Sequence, residues 1–307
     1  HDCAYARGER LIKASPARIE SACPYFGMCG GCDTQHINYE EELRFKLGLV
    51  NSALRRIGKQ SVQATEIIGS ESISHYRNKG IFAVGTVDGK ARCGFFRERT
   101  HQLIAVDACL IQDEISCRAA NAVADFMNAN GIAPYDEAAG IGAVRHVFCR
   151  RSVHGSDVLL CIVSREGFGK KTQALVDCLR KACPELTGIV LNINRSTGNT
   201  VLSGDFYTMW GRGSINDTLC GFKFDIAPQA FFQVNPPQAE RLYARALEYA
   251  ALTPDMLVLD LYCGAGTISL CLSAHAKKVI GAEIVPEAVD NANKNALANN
   301  VANVEFI

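Results

Sequence analysis

The hydrophobic and polar positions change their spacing along the chain. In residues 38–58, leucine and valine recur every three to four positions, acidic residues come first and Gly58 comes last, which predicts a helix. From about 62 to 225, short β-rich runs alternate with turn signals, and helical stretches near 112–130 and 171–183 interrupt them. We predict an antiparallel sheet with helices on one face. The β-rich runs are GIFAVGTVDGKARCGFF, VRHVFCRRSV, VLLCIVS, GIVLNINR and TVLSG.

After Phe231, apolar strand patterns alternate with helical ones, which is typical of an α/β doubly wound domain with a parallel sheet. The predicted elements are a helix at 236–251, a strand at 256–262, a helix from Thr267 to about 274, a strand at 278–284, a helix at 286–299 and a strand at 303–307. Open parallel sheets usually have about five or more strands. We therefore expect the natural chain to continue beyond Ile307.

Composition is that of a folded protein without a membrane span. The 307 residues are 48% hydrophobic and 21% charged, which excludes disordered and low-complexity classes. No stretch approaches the ~18–20 uninterrupted apolar residues of a span, and the start at His1 does not resemble a signal peptide. Most of the 14 cysteines stand singly in apolar runs, as small buried hydrophobes do. We therefore expect a reducing compartment, the cytoplasm.

A glycine loop, Cys263-Gly264-Ala265-Gly266, lies between a predicted strand and a predicted helix. Glycines let the backbone approach a ligand, and a helix N-terminus attracts an anionic group. Glu283 ends the next strand, 17 residues after Gly266, where a carboxylate can accept both ribose hydroxyls of an adenosine. Ser269 replaces the third glycine of a dinucleotide motif, so the loop favours S-adenosylmethionine (SAM) over NAD. The alternative is an ordinary turn followed by a surface glutamate.

Three cysteines form the motif Cys23-x5-Cys29-x2-Cys32 in a glycine-rich segment that lacks a regular pattern. Thiolates at such positions are typical metal ligands, and a tetrahedral site needs a fourth. We favour Cys109 over Cys93 and Cys117 for that position. An iron–sulfur cluster and zinc both accept four thiolates, so the spacing alone does not separate them. The alternative is three cysteines without a ligand.

Basic strings in the β-rich part are candidates for phosphate contacts, with aromatic residues beside them for base stacking. They are His75-Tyr76-Arg77-Asn78-Lys79, Arg92, Arg97, Arg99, Arg145-His146 and Arg150-Arg151, with Tyr25, Phe26, Phe95 and Phe96. Net charge is zero, but residues 1–215 carry 26 basic and 22 acidic side chains, whereas 216–307 carry 6 and 10. This asymmetry is compatible with a nucleic-acid-facing first part but too weak to establish one. Each string could equally be a solvated strand face.

The segment Phe231-Phe232-Gln233-Val234-Asn235-Pro236 precedes the glycine loop's domain. Its aromatic pair and proline could serve only packing and the start of a helix. An unpaired buried glutamine is costly, so we expect Gln233 to have a partner, and a ligand's polar group is one possibility.

Together these strings resemble the RNA uracil-5-methyltransferase family, specifically its iron–sulfur 23S rRNA branch. The similar strings, in the family's order across nearly the whole chain, are CPYFGMCGGC, HYRNKG, GFFRERTHQL, ACLI, VRHVFCR, FFQVNPPQAERLY and LDLYCGAGTISL. The transfer-RNA branch is less similar, because it generally lacks the cysteine cluster. The resemblance implies an α/β fold: a Rossmann-like SAM-dependent methyltransferase domain, incomplete at its C-terminus, plus a central α+β domain with an antiparallel sheet.

The resemblance also implies ligands and domain limits. Residues 1–22 would be the remnant of an N-terminal TRAM barrel, 23–225 the iron–sulfur and RNA-binding domain, and 226–307 the SAM-binding domain, on which helix 38–58 is a candidate to pack. The resemblance implies a [4Fe–4S] cluster that shapes the RNA-binding surface. The implied metal ligands are Cys23, Cys29, Cys32 and Cys109. The expected cofactor-binding residues are Gln233, Tyr262, Gly264, Gly266, Thr267 and Glu283.

The implied activity is SAM-dependent methylation of a uridine C5 in 23S rRNA. In the family a cysteine thiolate adds to uracil C6, the enolate attacks the methyl group, a base removes the C5 proton, and elimination frees the enzyme. The target uridine is flipped out of its stack. That cysteine and base lie downstream of the third strand, so we expect both beyond Ile307 and expect this chain not to methylate RNA. Cys263 is expected only to line the cofactor loop.

Other classes of function compete with this interpretation. One is a non-catalytic RNA-binding module with a structural metal–cysteine cluster, and another is a tRNA uracil-5-methyltransferase. An iron–sulfur radical enzyme would have a C-x3-C-x2-C motif, which differs from the spacing present here. We expect 23S rRNA as the partner, with no membrane and no obligate protein partner.

Overall fold

The structure is a computed structural model that describes residues 4, 6, 8–198 and 200–307. The chain divides into two compact units, of which the first extends to Glu71 and the second is Ser72–Ile307. The second unit therefore contains both the β-rich part and the α/β part. The three-part division expected from the sequence stays a prediction, and part of its 1–22 segment lies outside the described residues.

In the first unit, helix α1 (Tyr39–Arg56) forms where the apolar spacing predicts it. Asn38 caps it, because its side-chain oxygen accepts a hydrogen bond from the Glu41 backbone N–H at 2.9 Å. Three acidic residues in the first turn and two arginines in the last complement the helix dipole. In the described residues before α1, the pairing consists of isolated bridges, such as that between Arg18 and Ile37.

A seven-stranded sheet forms the first part of the second unit, in the order β3-β2-β1-β4-β5-β6-β7. Its strands are β1 (Lys79–Val87), β2 (Lys90–Phe96), β3 (Leu103–Ala105), β4 (Val144–Arg151), β5 (Val158–Ser164), β6 (Gly188–Ile193) and β7 (Asp205–Gly211). Helices α2 (Glu114–Asn130) and α3 (Thr172–Ala182) lie between strands in the chain. The turn between β1 and β2 uses Asp88 and Gly89 at φ of 51° and 74°, as a tight hairpin requires.

Both faces of the central strands are buried, which explains their nearly continuous apolar runs. Val147 and Leu160 belong to a core cluster that also contains buried residues of α2 and α3. Their neighbours Phe148 and Leu159 belong to a second cluster, together with residues of the α/β part. Because successive side chains of a strand point to opposite faces, this one sheet contributes residues to both core clusters.

Two expectations for the β-rich part are wrong. The sheet is mixed, because β5 and β6 are parallel. The segment between them contains α3, which supplies the crossover that parallel neighbours need. The run TVLSG forms no strand in the described residues 200–204, and strand β7 begins only at Asp205.

The rest of the second unit contains the strands and helices on either side of the glycine loop. A hairpin, β8 (Ile215–Leu219) and β9 (Phe222–Ile226), precedes a parallel three-stranded sheet of order β10-β11-β12. The elements are α4 (Pro236–Ala250), β10 (Leu257–Leu261), α5 (Thr267–Ser273), β11 (Lys278–Ala282), α6 (Pro286–Ala298) and β12 (Val304–Phe306). None of the helices in the described part of the chain combines the length and apolar character that crossing a bilayer takes.

Candidate cofactor-binding site

The loop between β10 and α5 has a backbone that glycine makes possible. Gly264 and Gly266 adopt φ of 55° and 78°, in the left-handed region. A Cβ atom at Gly266 would lie 2.6 Å from the Cζ atom of Phe306, so a side chain is excluded there by packing. A Cβ atom at Gly264 would meet no atom within 4 Å among the described residues. The loop is therefore packed on one side and open on the other.

Glu283 follows β11, and its side chain is fixed against the glycine loop. Its carboxylate accepts backbone N–H bonds from Val285 at 3.1 Å and from Gly264 at 3.0 Å. These bonds hold the pKa of the carboxyl below its ordinary value of 4.5. An ionised carboxylate has about four acceptor positions, so two bonds leave room for further donors. The expected carboxylate therefore lies beside the expected loop.

Two polar side chains, whose contacts the sequence does not predict, stabilise the loop and the elements next to it. The Asn295 side chain on α6 donates to the Ala265 carbonyl at 3.0 Å. Ser269 donates to the Asp260 carboxylate at 2.6 Å, and burial raises the pKa of that carboxyl. The only sequence signal for the second contact is the serine at the third glycine position of the dinucleotide motif. For Asn295 no local signal exists, because its contact spans 30 residues.

Gln233 is half-buried, and its side chain has a partner within the protein. Its side chain interacts with the hydroxyl of Tyr243 on α4, and this interaction lowers the pKa of that phenol against the larger, raising effect of burial. The same hydroxyl lies 3.2 Å from Oγ1 of Thr267, the first residue of α5. The structure thus brings Gln233 and Thr267 together through Tyr243, a third residue that the sequence analysis missed.

Tyr262 directly follows β10 and is 88% exposed. Its φ of 62° is in the left-handed region, which is uncommon for a bulky residue and frequent at functional sites. The neighbouring Cys263 is buried, and desolvation raises its pKa to about 11. A thiol with that pKa is protonated at neutral pH, so it lacks the thiolate character of a nucleophile.

The three cysteines of the Cys23-x5-Cys29-x2-Cys32 motif lie in a series of turns. The Cys29 backbone N–H donates to the Tyr25 carbonyl at 2.9 Å, and a Cβ atom at Gly31 would lie 3.4 Å from the Cys29 sulfur. Cys23, Cys29 and Cys32 are all half-buried. Among the described residues, the structure gathers no group of three or more His, Cys, Asp or Glu side chains that could hold a metal ion.

The candidates for a fourth thiolate differ in burial. Cys93 is fully buried and donates to the Ala120 carbonyl at 3.1 Å, and burial raises its pKa to about 12. Cys117 is buried as well, and its pKa is raised to about 11. Cys109 is half-buried. Of these three cysteines in the second unit, Cys109 is the most accessible.

Several arginines expected to contact phosphate have partners inside the protein. Arg145 is buried and donates to the carbonyls of Ser196 and Gly198. Arg150 is buried and donates to the carbonyls of Ala227 and Ala230, both at 2.9 Å. The guanidinium of Arg151 pairs with Asp113 at 2.5 Å. Arg92 likewise pairs with Asp107 at 2.5 Å, and Arg99 pairs with the adjacent Glu98 at 3.1 Å. The buried Arg145 and Arg150 are therefore not accessible to a ligand, whereas the side chains of Arg92, Arg99 and Arg151 are exposed.

Comparison with known proteins identifies a matching family model and several similar sequences. Residues 164–307 match the tRNA (Uracil-5-)-methyltransferase family model. An uncharacterized RNA methyltransferase of Clostridium acetobutylicum is 41% identical over 300 residues, which are 97% of this chain and 65% of the relative. Another, of Halalkalibacterium halodurans, is 39% identical over 303 residues, which are 98% of this chain and 66% of the relative. The chain thus spans just under two thirds of the length of these curated relatives.

A solved structure covers nearly all of the fold. The Pyrococcus abyssi tRNA (uracil-54, C5)-methyltransferase, in complex with S-adenosyl-L-homocysteine, matches with a TM-score of 0.77 and 26% identity. The match covers 97% of this chain and 67% of the archaeal chain. The fold of this chain is therefore that of an α/β methyltransferase with a mixed sheet.

Proposed function

We propose that the chain forms the methyl-donor site of a SAM-dependent RNA (uracil-5-)-methyltransferase. One observation carries the proposal. The ionised Glu283 is held by the backbone N–H groups of Val285 and Gly264, beside a glycine loop that is open on one side. Within a family of RNA methyltransferases, this arrangement fits the adenosyl part of SAM.

Each expected residue has a defined task at this site. SAM supplies an activated methyl group when it is bound. Glu283 accepts hydrogen bonds from the ribose hydroxyls, while Gly264 and Gly266 let the ligand approach the backbone. Thr267 presents its hydroxyl at the start of α5, and Gln233 presents its amide from the segment before α4. The exposed ring of Tyr262 covers apolar parts of the ligand.

The proposal is tested by replacing Glu283 with alanine and measuring S-adenosylhomocysteine binding by calorimetry. We expect roughly tenfold weaker binding, because hydrogen bonds to a charged group are lost. The matched control is Glu287→Ala, in the first turn of α6, which should bind as the unchanged chain does. Equal affinity of the Glu283 variant would remove this residue from the site, and failure of the unchanged chain to bind would reject the proposed function.

For the RNA, we propose 23S rRNA, modified at uridine C5 through a covalent adduct between a cysteine and C6. The cysteine motif supports this choice, because the resemblance to the 23S rRNA branch depends on it. A tRNA is the second candidate, which the archaeal tRNA methyltransferase structure favours. Competition between 23S rRNA fragments and tRNA for the chain at fixed salt separates the two. Preferential retention of tRNA would contradict the rRNA proposal.

We also propose a [4Fe–4S] cluster held by Cys23, Cys29, Cys32 and Cys109, in a cytoplasmic protein. The donor chemistry fits, because iron–sulfur clusters take four thiolates. The sequence motif and the accessibility of Cys109 support this assignment.

Purification without oxygen provides the test of the cluster. The protein should be brown, absorb near ~400 nm and contain about four irons per chain. Cys23→Ser should lose most of the iron, whereas Cys178→Ser, a half-buried cysteine outside the motif, should keep it. Stoichiometric zinc without iron would identify a zinc site instead.

A further inference from the structure

One buried hydroxyl touches two of the expected cofactor-binding residues. Tyr243 lies on α4 and is 4% exposed. Its hydroxyl is 3.2 Å from Thr267 Oγ1. The Gln233 side chain also interacts with this hydroxyl and lowers its pKa. Thr267 begins the helix after the glycine loop, while Gln233 lies in the segment before α4. Two chain segments of the site therefore meet at this phenol.

The segment that carries Gln233 is also fixed from the other side. The buried Asn78, just before β1, donates its side-chain N–H to the Gln233 carbonyl at 3.2 Å and its backbone N–H to the Val234 carbonyl at 2.9 Å. Upstream, Arg150 holds the carbonyls of Ala227 and Ala230. With the backbone anchored to the sheet, the remaining freedom of Gln233 is in its side chain, and the Tyr243 hydroxyl restricts it.

We propose that Tyr243 is a positioning residue for the methyl-donor site, which orients the side chains of Gln233 and Thr267 toward the ligand through its hydroxyl. The inference rests on the proposed function. Its physical basis is that a buried polar network with satisfied partners selects one arrangement of its members. Without the hydroxyl, both side chains can rotate to other partners, and the ligand must order them again when it binds.

Tyr243→Phe keeps the ring and removes only the hydroxyl, so it is the direct test. In the full 307-residue chain, we expect S-adenosylhomocysteine binding to weaken about fivefold, the effect of one neutral hydrogen bond. Tyr249→Phe is the matched control, because Tyr249 lies on the same helix with its side chain 73% exposed. The control variant should bind as the unchanged chain does.

A second variant separates a positioning role of Tyr243 from a general loss of protein stability. Val176→Ala removes two methyl groups from a buried position of α3, in the other core cluster, and lowers stability without touching the hydroxyl network. If Tyr243 acts by positioning, Val176→Ala should bind S-adenosylhomocysteine as the unchanged chain does, at a temperature where the variant is folded. If Val176→Ala and Tyr243→Phe weaken binding equally, Tyr243 has only a structural role.

A double-mutant cycle decides whether Tyr243 acts through Thr267. In a Thr267→Val background, Tyr243→Phe should reduce affinity by less than twofold, because one partner of the hydroxyl is already gone. Independent, multiplicative effects would overturn the inference.

If the unchanged chain binds the ligand and Tyr243→Phe binds it equally well, the inference fails while the proposed function stands. If the unchanged chain does not bind, the proposed function itself fails.

Discussion

His146 lies on β4, next to Arg145, and its Nδ1 atom is buried without a hydrogen-bond partner among the described residues. Desolvation, followed by the charge of Arg145, lowers its pKa from 6.5 to about 4. The sequence suggested that both residues contact phosphate, but burial makes them part of the fold. At neutral pH the imidazole is therefore uncharged.

This burial predicts a pH dependence of stability. Between pH 6.5 and about 4, the unfolded chain binds a proton at His146 that the folded chain does not, so the free energy of unfolding falls as pH falls. The contribution is of order 3 kcal/mol, complete above pH 6.5 and lost toward pH 4.

Urea denaturation at several pH values measures this dependence. His146→Leu should flatten this part of the profile, whereas His101→Leu, at an exposed position, should not. If the free energy of unfolding of His146→Leu still falls with pH at the original slope, groups other than His146 cause the pH dependence.

At the scale of elements, the glycine loop depends on a neighbouring helix. Helix α6 contributes Asn295, which is 4% exposed, and its amide bonds the Ala265 carbonyl inside the loop. The oxygen of the same amide lies 3.4 Å from the Asp225 backbone N–H on β9. One side chain thus connects a helix, the loop and the hairpin.

Asn295→Ala should lower the free energy of unfolding by about 1–3 kcal/mol, because buried backbone groups lose their partner. It should also weaken S-adenosylhomocysteine binding, since Ala265 lies in the loop. Asn293→Ala is the control, because Asn293 bonds only the Val289 carbonyl of its own helix in the described contacts. Chemical denaturation and calorimetry check both effects, and identical behaviour of the two variants would contradict the assignment.

At the scale of the whole molecule, the expected methyl-donor residues all belong to the second unit. Gln233, Tyr262, Thr267 and Glu283 lie within Ser72–Ile307, which also contains both core clusters. The cysteine motif belongs to the first unit. Of the four proposed thiolate ligands, three therefore belong to the first unit and Cys109 belongs to the second.

We expect a chain that begins at Ser72 to fold cooperatively and to bind S-adenosylhomocysteine within about twofold of the 307-residue chain. Its RNA affinity and iron content need not survive. Thermal unfolding and calorimetry of the two chains provide the comparison. A non-cooperative transition of the shorter chain would show that the second unit depends on the first.

The sequence by itself determined features that depend on near neighbours. The apolar spacing of 38–58, the Asp88-Gly89 turn and the glycine loop each follow from a few adjacent residues. For the same reason, the lengths of α4 and α6 differ by only a residue or so from their predictions. Period, capping and turn chemistry are local properties, so a linear pattern contains them.

Only the tertiary structure decided which distant segments meet. The parallel pairing of β5 with β6 depends on a crossover, and Arg145 and Arg150 are buried because the chain folds over them. The hydroxyl of Tyr243 reaches Thr267 across 24 residues, and Asn295 reaches Ala265 across 30. Such contacts depend on packing in three dimensions, where residues of unrelated sequence position compete for the same buried partner.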